Sequence, residues 1–475
     1  MRVSPWFAVA VTVTLAVTVT VGGCAHPPEH SKIDVPFEVP NDWTAQALGE
    51  GEIDDEWWRA FGDARLDALV DEALRSNPDL AGALFRVDQA IAIARIAGAD
   101  ELPQVGFAGN ASRSKSLFFA PFNDGPAPQR LTLHNISFDL RWELDVWGRV
   151  RAGHSAALAD AEAAEAAFHG ARLSLIGQVV TTYLAVVDLT EQVRIASANL
   201  DDASTTADRI EERYQGGLRT ALDLKLIRTD EAQTRATVAA LERQLDVTRR
   251  QLEILVGRYP DGTIEVATAL PEDSPAIPAG LPSDLVRRRP DVVQAERAFA
   301  AAEQREHEAW ANRLPSFALT ASAGTTSERL NDILDLDFSV WNVAGNVAAP
   351  IFQGGRLKAD SDRAQAVASE SLTNFVAVLL AAFAEVESAI TAESQWVDQV
   401  DALETAVNEA EGGLTVSQDR YFSGVVDILS VLDARRRFFN AQSSLNSARL
   451  DRIRNLVDLY LALGGGFEIP EEEAS

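Results

Sequence analysis

The chain of 475 residues reads as a mainly α protein with a membrane β-barrel, built from a duplicated unit. Three observations predict this class. Five short anchors recur in the same order a little over two hundred residues apart. Two proline-free stretches, 129–259 and 351–469, carry apolar residues at alternating intervals of four and three, the spacing of long coiled-coil helices. Within residues 131–146, the run from Ile136 to Val146 alternates apolar with polar at every position, the period of a half-buried strand.

The N-terminus comes first. One early arginine, an apolar stretch from Trp6 to Val21 and small residues before Cys24 form a secretory signal. Its apolar core is shorter than the roughly 20 residues a spanning helix needs. Val21-Gly22-Gly23-Cys24 resembles a bacterial lipobox. Residues 1–23 would then be removed and Cys24 lipidated, with Ala25 suggesting sorting to the outer membrane. No later segment has 18 uninterrupted apolar residues, so further membrane contact is expected from strands or the lipid.

The duplication fixes the remaining organisation. Asn77-Pro78-Asp79-Leu80 returns as Arg289-Pro290-Asp291-Val292, displaced by 212 (289 − 77), and Leu102-Pro103 as Leu314-Pro315 at the same displacement. Trp147-Gly148-Arg149 returns as Gly354-Gly355-Arg356, and Arg213–Gly217 as Arg420–Gly424, displaced by 207 (420 − 213). Leu255-Val256-Gly257 matches Ala462-Leu463-Gly464. The expected divisions are a lipidated arm and equatorial segment, 24–70; a first repeat, 71–258; a linker, 259–282; a second repeat, 283–466; and an acidic tail, 467–475.

Each repeat opens with a helix, about Pro78–Asp100 and Pro290–Arg313, started by a proline whose missing N–H costs nothing there. Each helix ends at Leu-Pro, because the residue before proline disfavours helical dihedrals. Two strands follow in each repeat. In 131–146, Ile136, Phe138, Leu140, Trp142, Leu144 and Val146 share one face; Phe317, Leu319, Ala321 and Ala323 do so in the second repeat. Gln104–Ser112 and Leu336–Val347 are the weaker strand segments, and 118–130 is expected as a loop. The long helices come next. Leu189, Val193, Ala196, Leu200, Ala203, Ala207, Ile210 and Tyr214 form one stripe; Leu372, Val376, Leu379, Phe383, Val386 and Ile390 begin another, continued by Val397, Val400, Leu403, Val407, Ala410 and Leu414. Both helix pairs turn at Gly216-Gly217 and Ser423-Gly424, giving two antiparallel hairpins.

Composition removes several functions. A net charge of −29 argues against nucleic acid, which requires a positive surface. The single cysteine excludes a disulfide framework, and six scattered histidines lack metal-ligand spacing. No phosphate loop or nucleophile motif stands in the chain, so no catalytic residue, metal or cofactor is expected. Four outward-apolar strands raise a further constraint. A single-chain barrel needs at least eight strands, and open edges are intolerable in lipid. Pooling strands among subunits resolves this, three chains supplying twelve, with the helical hairpins packed into a tube beneath.

From Glu56–Val70 (EWWRAFGDARLDALV) through NPDL, WELDVWGR, RYQGG, PIFQGGR, RYFSG and VLDARR to LYLALGGGF, the sequence resembles outer-membrane efflux channels of the TolC-like family, in their OprM/NodT-type lipoprotein branch. Phe467, where a Trp is commoner, and the SG turn of the second repeat are small departures. The resemblance implies a homotrimer with a 12-stranded barrel and an α-helical periplasmic tunnel. Its partners would be a periplasmic adaptor (membrane fusion) protein and an inner-membrane transporter of the RND type. The channel would be a passive exit for small toxic compounds or drugs, and not an enzyme. Type I protein secretion and metal-ion efflux are alternatives within the family. A periplasmic adaptor lipoprotein is the rival outside it, but that would carry one hairpin and no such strands. The lack of a His- or Met-rich tract argues mildly against copper or silver export.

The resemblance also directs attention to the segment after the second turn. Leu429 and Asp433 are four apart and share a helical face, with Arg436 and Arg437 at ion-pairing distance from Asp433. In OprM-like relatives the positions matching Leu429, Asp433 and Arg436 line or brace the periplasmic aperture. Ser430 stands where some relatives carry a second acid. The hairpin tips, Arg213, Tyr214, Gly216, Gly217, Arg420, Tyr421, Ser423 and Gly424, are the expected adaptor contacts.

Overall fold

A computed structural model describes Trp43, Asp54 and residues 56–118, 127–271 and 288–465. Cys24, the signal peptide, the acidic tail, most of the arm and the linker residues 272–282 lie outside the described residues. The elements run α1 (Ala64–Ser76), α2 (Pro78–Ala99), β1 (Gln104–Phe118), β2 (Ala127–Leu144), α3 (Arg149–Gln215) and α4 (Ala221–Leu255). They continue with α5 (Pro290–Ala311), β3 (Ser316–Ser327), β4 (Ser339–Ala348), α6 (Arg356–Phe422) and α7 (Ile428–Ala462).

The duplication survives in the lengths. Helices α3 and α6 each have 67 residues, and α4 and α7 each have 35. Both second copies start 207 positions after the first (356 − 149 and 428 − 221). Helices α2 and α5 have 22 residues each, displaced by 212 (290 − 78). At 1.5 Å per residue, 67 residues make a rod of about 100 Å.

Even the splice between repeats' helices is copied with different chemistry. Asn77 caps α2 through Oδ1, which accepts from the amides of Asp79 and Leu80, while its Nδ2 donates to the Leu255 carbonyl at the end of α4, 2.9 Å away. At the matching position Arg289, also buried, donates to the Ala462 carbonyl at the end of α7, 3.1 Å away, and to Asp291 and Glu385.

Two compact units divide these elements. The first, Asp88–Ala163 with Glu296–Asn374, contains the four-stranded antiparallel sheet in the order β1-β2-β3-β4. Its register places Val105, Leu140, Ala321 and Val343 in one row and Phe107, Phe138, Ala323 and Trp341 in the next, all on one face. The opposite face carries Gln104, Arg141, Thr320 and Ala344, then Gly106, Asp139, Ser322 and Asn342. The large side chains of the apolar face stand exposed, among them Val105, Phe107, Phe138, Trp341 and Val343. Among the described residues, the outer edges of β1 and β4 have no strand partner.

Several strand limits differ from the sequence expectation. Strand β1 runs six residues past Ser112, and β2 starts at Ala127, inside the expected loop. Pro128 is tolerated there because β2 pairs with β3 only from His134 onward, leaving the proline an open side that needs no N–H. Strand β4 starts at Ser339 because Asp335 accepts from the Asp337 amide and closes a 3-10 turn over Leu336–Phe338. Strand β2 ends at Leu144, before Val146.

The second unit comprises the described residues up to Val87, Ala164–Ala295 and the chain from Phe375. Trp57, from the EWWRAF stretch, stacks on Tyr460 of α7 at 4.9 Å and 16°. The α3 stripe is buried at Leu189, Ala196, Ala203, Ala207 and Ile210, but Tyr214 leaves it and is exposed. In α6, Leu379, Val386 and Ile390 are buried, joined by Phe375, Ala382 and Ala389, while Leu403, Val407, Ala410 and Leu414 remain half-exposed. By length and composition α3 and α6 could each cross a membrane, but the apolar stretch of α3 is mostly buried, which is the mark of a core helix.

Candidate functional site

The two hairpin turns repeat each other bond for bond. After α3 the Gly217 amide donates to Tyr214 and Leu218 to Arg213; after α6 Gly424 donates to Tyr421 and Val425 to Arg420, at 2.9 and 2.8 Å in both copies. This is the Schellman closure, which needs a left-handed residue, and Gly217 (φ 76°) and Gly424 (φ 80°) supply it. Three residues later, Thr220 and Asp427 cap α4 and α7. Asp427 therefore has a structural role that the sequence reading did not assign: its Oδ1 accepts from the Ser430 amide at 3.0 Å and hydroxyl at 2.8 Å. Those bonds hold its carboxyl below the ordinary carboxylate range. Gly424→Ala would force an L side chain into the left-handed region, at a cost of about 1 kcal/mol. A lowered denaturant midpoint with unchanged slope is the expected readout.

The turns sit on one apolar cluster. Ala207 and Ile210 of α3, Leu224 and Ile227 of α4, Tyr421 of α6, and Ile428 and Val431 of α7 are buried together. Arginines of the first hairpin grip the second. Arg213 donates to the Phe422 carbonyl at 2.9 Å and lies over its ring; Arg219 donates to the Tyr421 carbonyl and lies 4.2 Å over its ring. The duplicated tyrosines consequently diverge. Tyr214 is 41% exposed and Tyr421 is 1% exposed, its hydroxyl 3.4 Å from Asp223. Tyr421 thus cannot present its ring as a surface contact, since it fills the space between the hairpins. Tyr214, Gly216, Gly217, Arg420, Ser423 and Gly424 are exposed and Arg213 is half-buried.

Along α7, three consecutive arginines point in different directions, as a 100° step per residue requires. Leu429, Asp433 and Arg436 share the solvent-facing side and border one groove of about 520 Å³ with Asp230, Arg435 and Phe439. Leu429 is 56% exposed. Asp433 accepts from Arg436 at 2.5 Å and from Arg437 at 2.7 Å, and the Arg437 bond, then the two positive charges, lower its carboxyl. Arg435 turns inward. Its side chain is buried, donating to Asp202 and Thr206 of α3 and to Asp230 of α4, each at 3.0 Å. The sequence reading passed over Arg435, and only its place in the Arg435-Arg436-Arg437 run, one turn beyond buried Val431, could have flagged it.

Among the described residues, no group of three or more His, Cys, Asp or Glu side chains is placed to hold a metal ion. The geometry offers a surface, a gap between helices and an amphipathic sheet.

Comparison with known proteins agrees with that geometry. The family model described as "Outer membrane efflux protein" matches residues 69–258 and 281–465. The pyoverdine export outer membrane protein OpmQ of Pseudomonas aeruginosa is 33% identical over 455 residues, covering 94% of this chain and 95% of its own. The toluene efflux pump outer membrane protein TtgI of Pseudomonas putida is 31% identical, covering 95% and 97%. In fold, the chain superposes on the CmeC outer membrane channel of Campylobacter jejuni with a TM-score of 0.88 over 94% of this chain and 96% of that one, at 24% identity. Matched in both repeats and nearly end to end, the chain belongs to the outer membrane efflux protein family, channels of the TolC-like fold.

Proposed function

We propose that three copies of this chain form the passive exit duct of a tripartite efflux pump, anchored through a lipid on Cys24 and carrying small toxic compounds or drugs. The observation that carries the reading is the four-stranded sheet, apolar on one face, with both outer edges unpaired among the described residues. Three such sheets close a 12-stranded barrel without an edge. The half-exposed stripe of Leu403, Val407, Ala410 and Leu414 supports association between copies, since a neighbouring hairpin would cover it. Within this assembly the two repeats, 71–258 and 283–466, each contribute two strands and one hairpin, joined by the linker 259–282.

At the periplasmic end, threefold symmetry turns Leu429 into an apolar collar and Asp433 into a carboxylate ring, with Arg436 bracing the closed form. The exposed tip residues Tyr214, Gly216, Gly217, Arg420, Ser423 and Gly424, with half-buried Arg213 beside them, receive a periplasmic adaptor, which couples the duct to an inner-membrane transporter of the RND type. Relatives named for pyoverdine and toluene export support a duct whose cargo is chosen elsewhere in the pump. The test is membrane fractionation with mass measurement of the detergent-extracted particle. Three protomers in the outer-membrane fraction, and palmitate label lost in Cys24→Ser, are the expected results. A monomer or a soluble protein would end the proposal.

A further inference from the structure

The lipid-facing side of the sheet changes character along its strands. Its rows are apolar from Leu144, Phe317 and Val347 as far as Phe107, Phe138, Ala323 and Trp341; the next row sets Thr325 and Ser339 beside Gly109 and Ile136, and toward the β1–β2 turn the same face carries Arg113, Lys115 and Arg130, with Leu117 beyond them. No Asp or Glu stands on this face in any of the four described strands, Asp139 and Glu143 both lying on the other. Those two acids share their face with Arg141, whereas the other three cations of the strands, Arg113, Lys115 and Arg130, stand together on the face without an acid.

The cations are also crowded. Lys115 lies directly opposite Arg130, and Arg113 opposite Thr132. Opposed side chains stand roughly 5 Å apart at Cβ and diagonal ones about 7 Å, so three like charges repel within one small area. Among the described residues none of the three enters an ion pair, although the β3–β4 turn holds Glu328, Asp332, Asp335 and Asp337. A multiply charged anion is what such a cluster accommodates.

Depth decides which anion. Arg130 is fourteen residues along β2 from Leu144 (144 − 130). That is about 48 Å of strand, or roughly 36 Å of height at the tilt of about 40° usual in barrels whose apolar band is about 25 Å tall. The cluster therefore stands about 10 Å beyond the hydrocarbon, at the depth of headgroup phosphates.

We propose that Arg113, Lys115 and Arg130 bind the phosphates of a phosphorylated glycolipid of the outer leaflet, one site per protomer. The site rests on the barrel reading above. It is tested with the full chain purified in detergent, titrated with bisphosphorylated lipid A, the same lipid stripped of both phosphates, and inorganic pyrophosphate. Native mass spectrometry reads the bound species. The wild type is expected to retain the phosphorylated lipid, and Arg113→Gln/Lys115→Gln/Arg130→Gln to lose on the order of a hundredfold in affinity. Arg113→Lys/Arg130→Lys, which keeps the charge, should retain most of it.

Equal retention of the stripped lipid, undiminished retention by the triple glutamine variant, or displacement by pyrophosphate as effective as by whole lipid would each overturn the proposal. If the triple variant fails to assemble, the three single glutamine variants decide, each expected to lose severalfold. Fractionation of the wild type separates the two readings. A protein absent from the outer membrane refutes the barrel, whereas one present there whose glutamine variants hold lipid normally refutes only the lipid site.

Discussion

Channels carrying Leu429→Ala together with Asp433→Ala are expected to conduct severalfold better than wild type in planar bilayers. Asp433→Ala alone should also lose preference for cations. The expectation follows from what α7 leaves uncovered. Leu429 has a largely exposed side chain that its own protomer does not bury, and one turn on Asp433 is held in place by Arg436 and Arg437. Repeated three times around an axis, a leucine collar closes by dewetting and a carboxylate ring concentrates cations.

The arginines lower the Asp433 carboxyl, so the linkage runs in one direction. Its ion pairs are present above the ordinary carboxylate range and are lost as pH falls through the lowered value. Conductance should therefore be flat from neutral to mildly acidic pH and rise only in strong acid, a rise that Asp433→Ala abolishes. Substituted channels with wild-type conductance would place the aperture elsewhere.

Different parts of this molecule were legible in the sequence to different degrees, for physical reasons. The long helices were the plainest, because a three-four spacing sustained over many turns has no competing interpretation, and Leu189, Ala196, Ala203, Ala207 and Ile210 of that stripe are accordingly buried. Strand β2 was legible where one face meets lipid, but its first residues were not, since the alternation reverses near His134, where Leu131 and Leu133 take the face opposite Arg130 and Thr132. The tyrosine pair shows a second limit. Tyr214 and Tyr421 occupy equivalent positions in the duplicated turns, and only the three-dimensional placement of Arg213 and Arg219 buries one and exposes the other. Among the acids after the second turn, the sequence reading missed Asp427 as the cap of α7, although an Asp three residues before Ser430 is a capping signal, whereas Asp433 acquires meaning only in an assembly.

Arg435→Leu is the substitution expected to loosen the tip most. A guanidinium that is 2% exposed bridges three helices here, donating to Asp202 and Thr206 on α3 and Asp230 on α4 from its base on α7. Removing it leaves the Asp202 and Asp230 carboxylates without their shared cation, Asp202 keeping only a long contact from the Gln418 amide at 3.4 Å. A fully buried pair broken in this way costs about 3–5 kcal/mol, but Asp202 and Asp230 retain partial access to water, so about 2 kcal/mol is the reasonable expectation. The loss should be local. Amides of α3 near Asp202, of α4 near Asp230 and of α7 near Arg435 should exchange faster with solvent, while those near Trp57 and Tyr460 keep their protection.

Because α7 also carries Leu429 and Asp433, the same substitution should raise resting conductance without touching either residue. Arg435→Lys can reach only part of the acceptor set and should fall between the two. Neutralising the acids as well, in Arg435→Leu/Asp202→Asn/Asp230→Asn, removes the uncompensated charge and should recover much of the lost protection, because the penalty lies in stranded carboxylates more than in a missing attraction. Exchange rates and conductance unchanged in Arg435→Leu would mean that the apolar cluster of Ile210, Ile227, Tyr421 and Val431 holds the hairpins together without the arginine.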